Sequence, residues 1–253
     1  MKPDNLTTPP DVMSLLNDIE MRQHGEGRSM IVLHGLQSTM DVWNNVIQRL
    51  EGWRVVMLNM PGRGQSKRWN KSDGPIENFY SVERYTDTLF ALIQRIGEPV
   101  TLAGWSMGAI VALRYAQKYG LDAVDQLILL SGVAKVDGNC SSFRGRTVSE
   151  VVIEAQNRSE AAGMFNVADP IAVAHTWFSL QHLDFRGTLS SIDKPTVVIH
   201  GTNDAECPAS QGKFMAERIP SAVWVPLEQI DHFVLKLAPE EIVMAIQNNR
   251  CSH

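Results

Sequence analysis

Two periodicities alternate along this chain. Short apolar runs at 30–33, 54–58, 100–103, 126–130, 196–200 and 222–227 have the length of buried strands, and a weaker first strand near 18–23 precedes the turn Gly25-Glu26-Gly27. Between them, segments 41–50, 82–96, 106–118, 210–218 and 239–249 place apolar residues three and four apart, the spacing of amphipathic helices. Strands that alternate with helices predict an α/β fold with a doubly wound, mostly parallel sheet. Right-handed crossovers put helices on both faces, and the ligand crevice lies at the carboxyl ends of the strands.

The alternation breaks between residues 134 and 186. That segment lacks a strand-like run, and 147–157, 160–165 and 168–182 read as helical. About fifty residues is far longer than an ordinary crossover. The expected organisation is therefore a core formed by 1–133 and 187–253 with a helical cap, 134–186, inserted over the crevice.

The chemistry starts at Gly104-Trp105-Ser106-Met107-Gly108, between the run 100–103 and the helical segment that follows. In such a strand-to-helix turn, G-x-S-x-G lifts a serine hydroxyl above the sheet at a helix N-terminus, where negative charge is favoured. Glycines two residues to either side allow the tight backbone approach. The bland reading is a Ser/Gly turn in which Ser106 merely caps a helix. A nucleophile also needs a base and an orienting acid, since an unassisted hydroxyl is weak.

Both partners are available at later strand ends. Asp204 follows the run 196–200 in Gly201-Thr202-Asn203-Asp204, and His232 follows 222–227 in Asp231-His232-Phe233. The order Ser, Asp, His is the one a doubly wound sheet supplies from successive strands. His200, at a buried strand end, is expected to bond locally, and Asp231 is too close in sequence to His232 to orient it. Two backbone N–H groups are expected to hold an oxyanion: Met107, directly after the serine, and Leu36, in the loop His34-Gly35-Leu36-Gln37-Ser38, which His34 would brace.

Composition narrows the surroundings. The chain has 253 residues and 44% apolar content, enough for one sizeable core, and a formal charge of −5 without a basic cluster, which argues against nucleic acid. Cys140, Cys207 and Cys251 are sparse and lack C-x-x-C spacing, so a disulfide framework or zinc site is not expected. The polar, proline-bearing N-terminus has no signal-like apolar stretch. A cytoplasmic protein without stable membrane insertion is expected. Gly62-Arg63-Gly64 lacks the third glycine of a dinucleotide fingerprint, and no Walker-type sequence occurs, so neither a cofactor nor a metal is expected.

These motifs together resemble the α/β-hydrolase fold superfamily, in its branch of small capped carboxylesterases. The resemblance rests on His34-Gly35, on Asn59-Met60-Pro61-Gly62-Arg63-Gly64-Gln65-Ser66, on the serine pentapeptide, on Gly201 to Asp204 with Pro208, and on Asp231-His232-Phe233. It spans almost the whole chain. Asn59 departs from the frequent Asp and Ala109 from a frequent Gly, changes that affect bracing and helix packing.

The roles follow from the chemistry. His232 takes the proton from Ser106 during attack on an ester or thioester carbonyl, Asp204 holds the imidazole, and Leu36 and Met107 donate to the oxyanion. The substrate is expected to be a small-molecule ester or acyl-thioester, free or carried on a carrier protein, as the similarity to pimeloyl-carrier-protein methyl esterases suggests. Trp43, Trp105, Phe143, Met164, Phe165, Trp177 and Phe178 are candidates for an apolar pocket, and Arg144 and Arg146 for an anionic group at the cap entrance. Hydrolysis of a C–C bond and a non-catalytic ligand-binding role remain the alternatives. The sequence leaves the oligomeric state open.

Overall fold

The structure, a computed structural model, describes residues 12–137, 140, 142–161 and 167–249. Among these residues seven strands form one sheet in the order β1-β3-β2-β4-β5-β6-β7: β1 (Met21–His24), β2 (Arg28–Leu33), β3 (Trp53–Leu58), β4 (Val100–Trp105), β5 (Val124–Leu130), β6 (Thr196–Gly201) and β7 (Ala222–Leu227). Only β1 runs antiparallel, pairing with β3 from Met21 opposite Leu58 to His24 opposite Val55. The central β4 is buried along its whole length, which is why its sequence reads as a continuous apolar run without alternation.

The helices are α1 (Asn44–Ile47), α2 (Val82–Ile96), α3 (Met107–Tyr119), α4 (Val148–Ala161), α5 (Pro170–Leu180), α6 (Ala209–Arg218), α7 (Val234–Leu237) and α8 (Pro239–Asn248). Helix α2 has the boundaries its sequence predicts because both ends carry strong signals. The Ser81 hydroxyl accepts from the Arg84 N–H, and Gly97 closes the helix in the left-handed region at φ 72°. On one face of the sheet α2 and α3 pack through Leu89, Leu92, Val111 and Leu113. On the other, α1, α7 and α8 pack through Val46, Leu235, Ile242 and Ile246.

Two expectations change. Segment 41–50 is not one helix: a 3-10 turn (Met40–Trp43) leads into the single turn of α1. Trp43, fully buried, fixes this break by donating its Nε1–H to the Leu33 carbonyl at 3.1 Å. Between β5 and β6 the described residues form α4 and α5; of the expected helix 160–165, residues 160 and 161 instead end α4, and 162–165 lie outside the described residues. The two ends of this excursion meet, with Lys135 bridged to Asp184 and the Phe185 N–H donating to the Ala134 carbonyl at 2.8 Å.

Candidate active site

Ser106 occupies the turn from β4 to α3 with φ 54° and ψ −117°, a conformation that costs energy for any residue with a side chain. The turn persists because the backbone around it is crowded. A Cβ on Gly104 would lie 2.3 Å from the Gly108 carbonyl, and one on Gly108 would lie 2.4 Å from the Leu33 oxygen. The Ser106 N–H is tied to the Leu130 carbonyl at 2.8 Å. The half-buried hydroxyl therefore stands at the start of α3, where the helix dipole is positive.

The later strand ends bring two side chains to it. His232 Nε2 lies 3.0 Å from Ser106 Oγ, and His232 Nδ1 lies 2.8 Å from Asp204 Oδ2. With Nδ1–H donating to the carboxylate, the Nε2 lone pair faces the serine hydroxyl. Asp204 is only 6% exposed, and Asp204 Oδ1 accepts from the N–H groups of Glu206 at 3.0 Å and Cys207 at 2.8 Å. Burial would raise its carboxyl pKa, but the hydrogen bonds from His200 and His232, the charge of His232 and the Cys207 N–H outweigh burial and hold it well below the usual carboxylate range. Asp231 instead accepts from the Phe233 N–H at 2.8 Å and does not orient His232.

Across the crevice, His34 braces its loop as expected. His34 Nδ1 donates to the Gly35 carbonyl at 2.8 Å, on the same peptide that carries the Leu36 N–H, while His34 Nε2 accepts from the Met60 N–H at 3.0 Å. Burial and the charge of Arg63 push its pKa down to about 3, so it is a neutral brace. Asn59 links its neighbours by accepting from the Met40 N–H and donating to Glu20. Neither the Leu36 nor the Met107 N–H donates to a protein acceptor among the described residues.

Two residues gain a place in the site that sequence reasoning did not give them. Arg63 is fully buried and donates to the Leu36 carbonyl at 2.9 and 3.3 Å, to the Pro61 carbonyl at 2.9 Å and to the Tyr85 hydroxyl. It also reaches Thr176 of α5 at 3.4 Å. His200, also fully buried, contacts Asp204 Oδ2 at 3.2 Å through the same Nε2 that bonds the Cys207 carbonyl at 2.7 Å. Both act over long sequence separations or through a partner already in use, which leaves no local signal.

Ser106 opens onto a cavity of about 750 Å³ walled by Trp105, Phe143, His232, Leu235 and others. Trp105 also holds the base in place, donating Nε1–H to the His232 carbonyl at 3.0 Å. Arg144 and Arg146 do not reach this cavity. They are exposed ahead of α4, and their backbone N–H groups cap the carboxylates of Glu154 and Glu150. The cavity's arginine is Arg158, paired with Glu206 at 2.7 Å and lying over the Phe143 ring. Its spacing from the buried Val151 and Ala155, seven and three residues on, is the signal that marks this face of α4. Trp177 stands beside Phe143 but lines a second, small cavity that also borders Ser106, with Cys207 and Cys140. Trp43 and Phe178 pack into the core, and Met164 and Phe165 lie outside the described residues.

Residues 28–151 match the family model for the alpha/beta hydrolase fold. The AB hydrolase superfamily protein YisY of Bacillus subtilis is 26% identical over 82% of this chain and 86% of its own. The pimeloyl-[acyl-carrier protein] methyl ester esterase of Nitrosomonas europaea is 23% identical over 89% and 96%. Among solved structures, the bromoperoxidase of Bacillus anthracis superposes with a TM-score of 0.77 at 22% identity, covering 91% of this chain and 94% of that one.

Proposed function

We propose that the chain is a serine hydrolase of the alpha/beta hydrolase fold superfamily, the family whose model residues 28–151 match, and that it cleaves a carboxylic ester through an acyl-enzyme. The observation that carries this reading is the continuous line from Ser106 Oγ to His232 at 3.0 Å and on to Asp204 at 2.8 Å, at a strained turn. In this reading His232 Nε2 accepts the serine proton as Oγ attacks the carbonyl carbon. The developing oxyanion accepts from the N–H groups of Leu36 and Met107. The imidazolium, stabilised by Asp204, then donates its proton to the departing alcohol or thiol as the C–O or C–S bond breaks. Water attacks the acyl-serine in the same way, its proton passing to His232 and then back to Ser106 as the acid leaves.

Segment 134–186 acts as the cap in this scheme, lending Phe143 and Arg158 to the cavity wall. The reaction class is tested with p-nitrophenyl esters and matched acyl-thioesters on wild type and Ser106→Ala. Turnover with a burst of p-nitrophenol that disappears in the variant is expected. Faster turnover of thioesters moves the reading to a thioesterase. Equal rates in both proteins remove the serine mechanism.

A further inference from the structure

Two cavities of very different size meet at Ser106. The larger holds about 750 Å³; the smaller, about 30 Å³, is walled by Ile110, Ser131, Trp177, Leu180 and Cys207 and has room for roughly one small group. His232 lines the large cavity and not the small one. The proton of the imidazolium must reach the leaving oxygen, so the leaving group lies on the His232 side, in the large cavity. Leu36 and Met107, whose N–H groups hold the oxyanion, also line the small cavity, so the oxyanion sits at its mouth and the acyl substituent is left with the rest of that space.

The small cavity also carries unmet hydrogen-bonding capacity. Ser131 Oγ and Trp177 Nε1 are both buried without a hydrogen-bond partner among the described residues, and both residues wall this space. Burying a hydroxyl and an indole N–H unpaired is unfavourable, so an acceptor that meets them is favoured. Ser131 is further held at φ 46°, a left-handed conformation of the kind concentrated at functional sites, with its N–H tied to the Ile199 carbonyl at 2.9 Å. Among the described residues no lysine or arginine lines this space to balance an anion, which favours a neutral acceptor.

Resting on the serine-hydrolase reading, we propose that the substrate is an ester of a short acid bearing a neutral oxygen, such as a hydroxyacetyl or 2-oxoacyl group, with a larger, mainly apolar alcohol in the 750 Å³ cavity. A long dicarboxylic acyl chain does not fit the small cavity. Ser131 and Trp177 are the specificity-determining residues.

The test begins from an ester series that fixes the alcohol and varies the acid, together with methyl esters of long acids. Aryl acetate hydrolysis that vanishes in Ser106→Ala establishes the hydrolase reading independently. The proposal then expects kcat/KM to fall about tenfold for each methylene beyond a two-carbon acyl group, and hydroxyacetyl to exceed acetyl by about tenfold. Trp177→Phe and Ser131→Ala should each bring the hydroxyacetyl-to-acetyl ratio towards one, and Leu180→Ala should lengthen the preferred acyl chain. Circular dichroism separates a misfolded variant from a specific loss, and the wild-type profile decides without any variant. Methyl esters of long acids turning over faster than long-alcohol esters of short acids would reverse the assignment and overturn the proposal. Acetyl turned over as well as hydroxyacetyl would also overturn it.

Discussion

The carboxyl edge of the sheet and the helices that lie over it are held together by different chemistry. Around Ser106 the positions are set by backbone contact at the steric limit and by short hydrogen bonds between buried groups. Helix α4 buries only Val151 and Ala155 and is otherwise tied by polar bridges, from Gln37 to the Ala155 carbonyl and from Arg158 to Glu206. Helix α5 is intermediate: it buries Ala172, Val173, Ala174, Thr176, Trp177 and Leu180, and it meets Arg63. Contacts at the steric limit are thus concentrated where atoms react, and exposed polar bridges along the wall of the large cavity. Changes at Ser106 and its turn should act on the rate of reaction, and changes in α4 on how the group in the large cavity is held.

The largest effect expected is on the edge: Ser106→Ala should lower kcat by roughly 10⁴-fold or more while leaving the melting temperature close to wild type. A large fall in melting temperature would show that the turn, and not the hydroxyl, carries the effect. Arg63→Met removes the group that joins the edge to α5, leaving the Leu36 and Pro61 carbonyls without its bonds. It should cost about 2–4 kcal/mol in urea unfolding and lower kcat as well. Unchanged kcat would break the link between the joint and the Leu36 loop.

Acidification gives a smaller, graded effect. His34 is neutral in the folded state down to about pH 3 but takes up a proton near 6.5 when unfolded. The unfolded state then binds more protons, so this contribution is complete above 6.5 and falls by up to about 1.4 kcal/mol per pH unit between 6.5 and 3. Asp204, whose folded carboxyl is also depressed, adds a further loss only below its ordinary value of 3.8. His34→Gln should flatten the upper part of the stability profile; an unchanged slope would assign it to other groups. The smallest effect belongs to α4. Arg158→Gln should cost less than about 1 kcal/mol, because its ion pair with Glu206 is partly exposed, and should shift KM across substrates more than kcat.

What could be read from the sequence follows the same division. The strand ends that present Ser106, Asp204 and His232 were legible because each follows a short apolar run with its own turn signal, and α2 and β7 matched their predicted spans for similar reasons. Arg63 was legible only as part of a glycine-bearing loop, since its acceptors come from Leu36, Pro61, Tyr85 and Thr176. Arg144 and Arg146 looked suited to an entrance because they are charged and adjacent to α4, yet what places an arginine in the cavity is the helical phase set by Val151 and Ala155, and that phase selects Arg158. The break at Trp43 depends on a bond to Leu33, which no local pattern encodes.

The clasp at Lys135, Asp184, Ala134 and Phe185 makes the excursion between β5 and β6 behave as a replaceable part. Because it leaves and returns at one point, the sheet needs only a short closing turn there, and loop-closure entropy changes slowly with the length of what is inserted. Exchanging the segment between these two points is therefore a way to change the lining of the cavity while the reacting atoms stay in register.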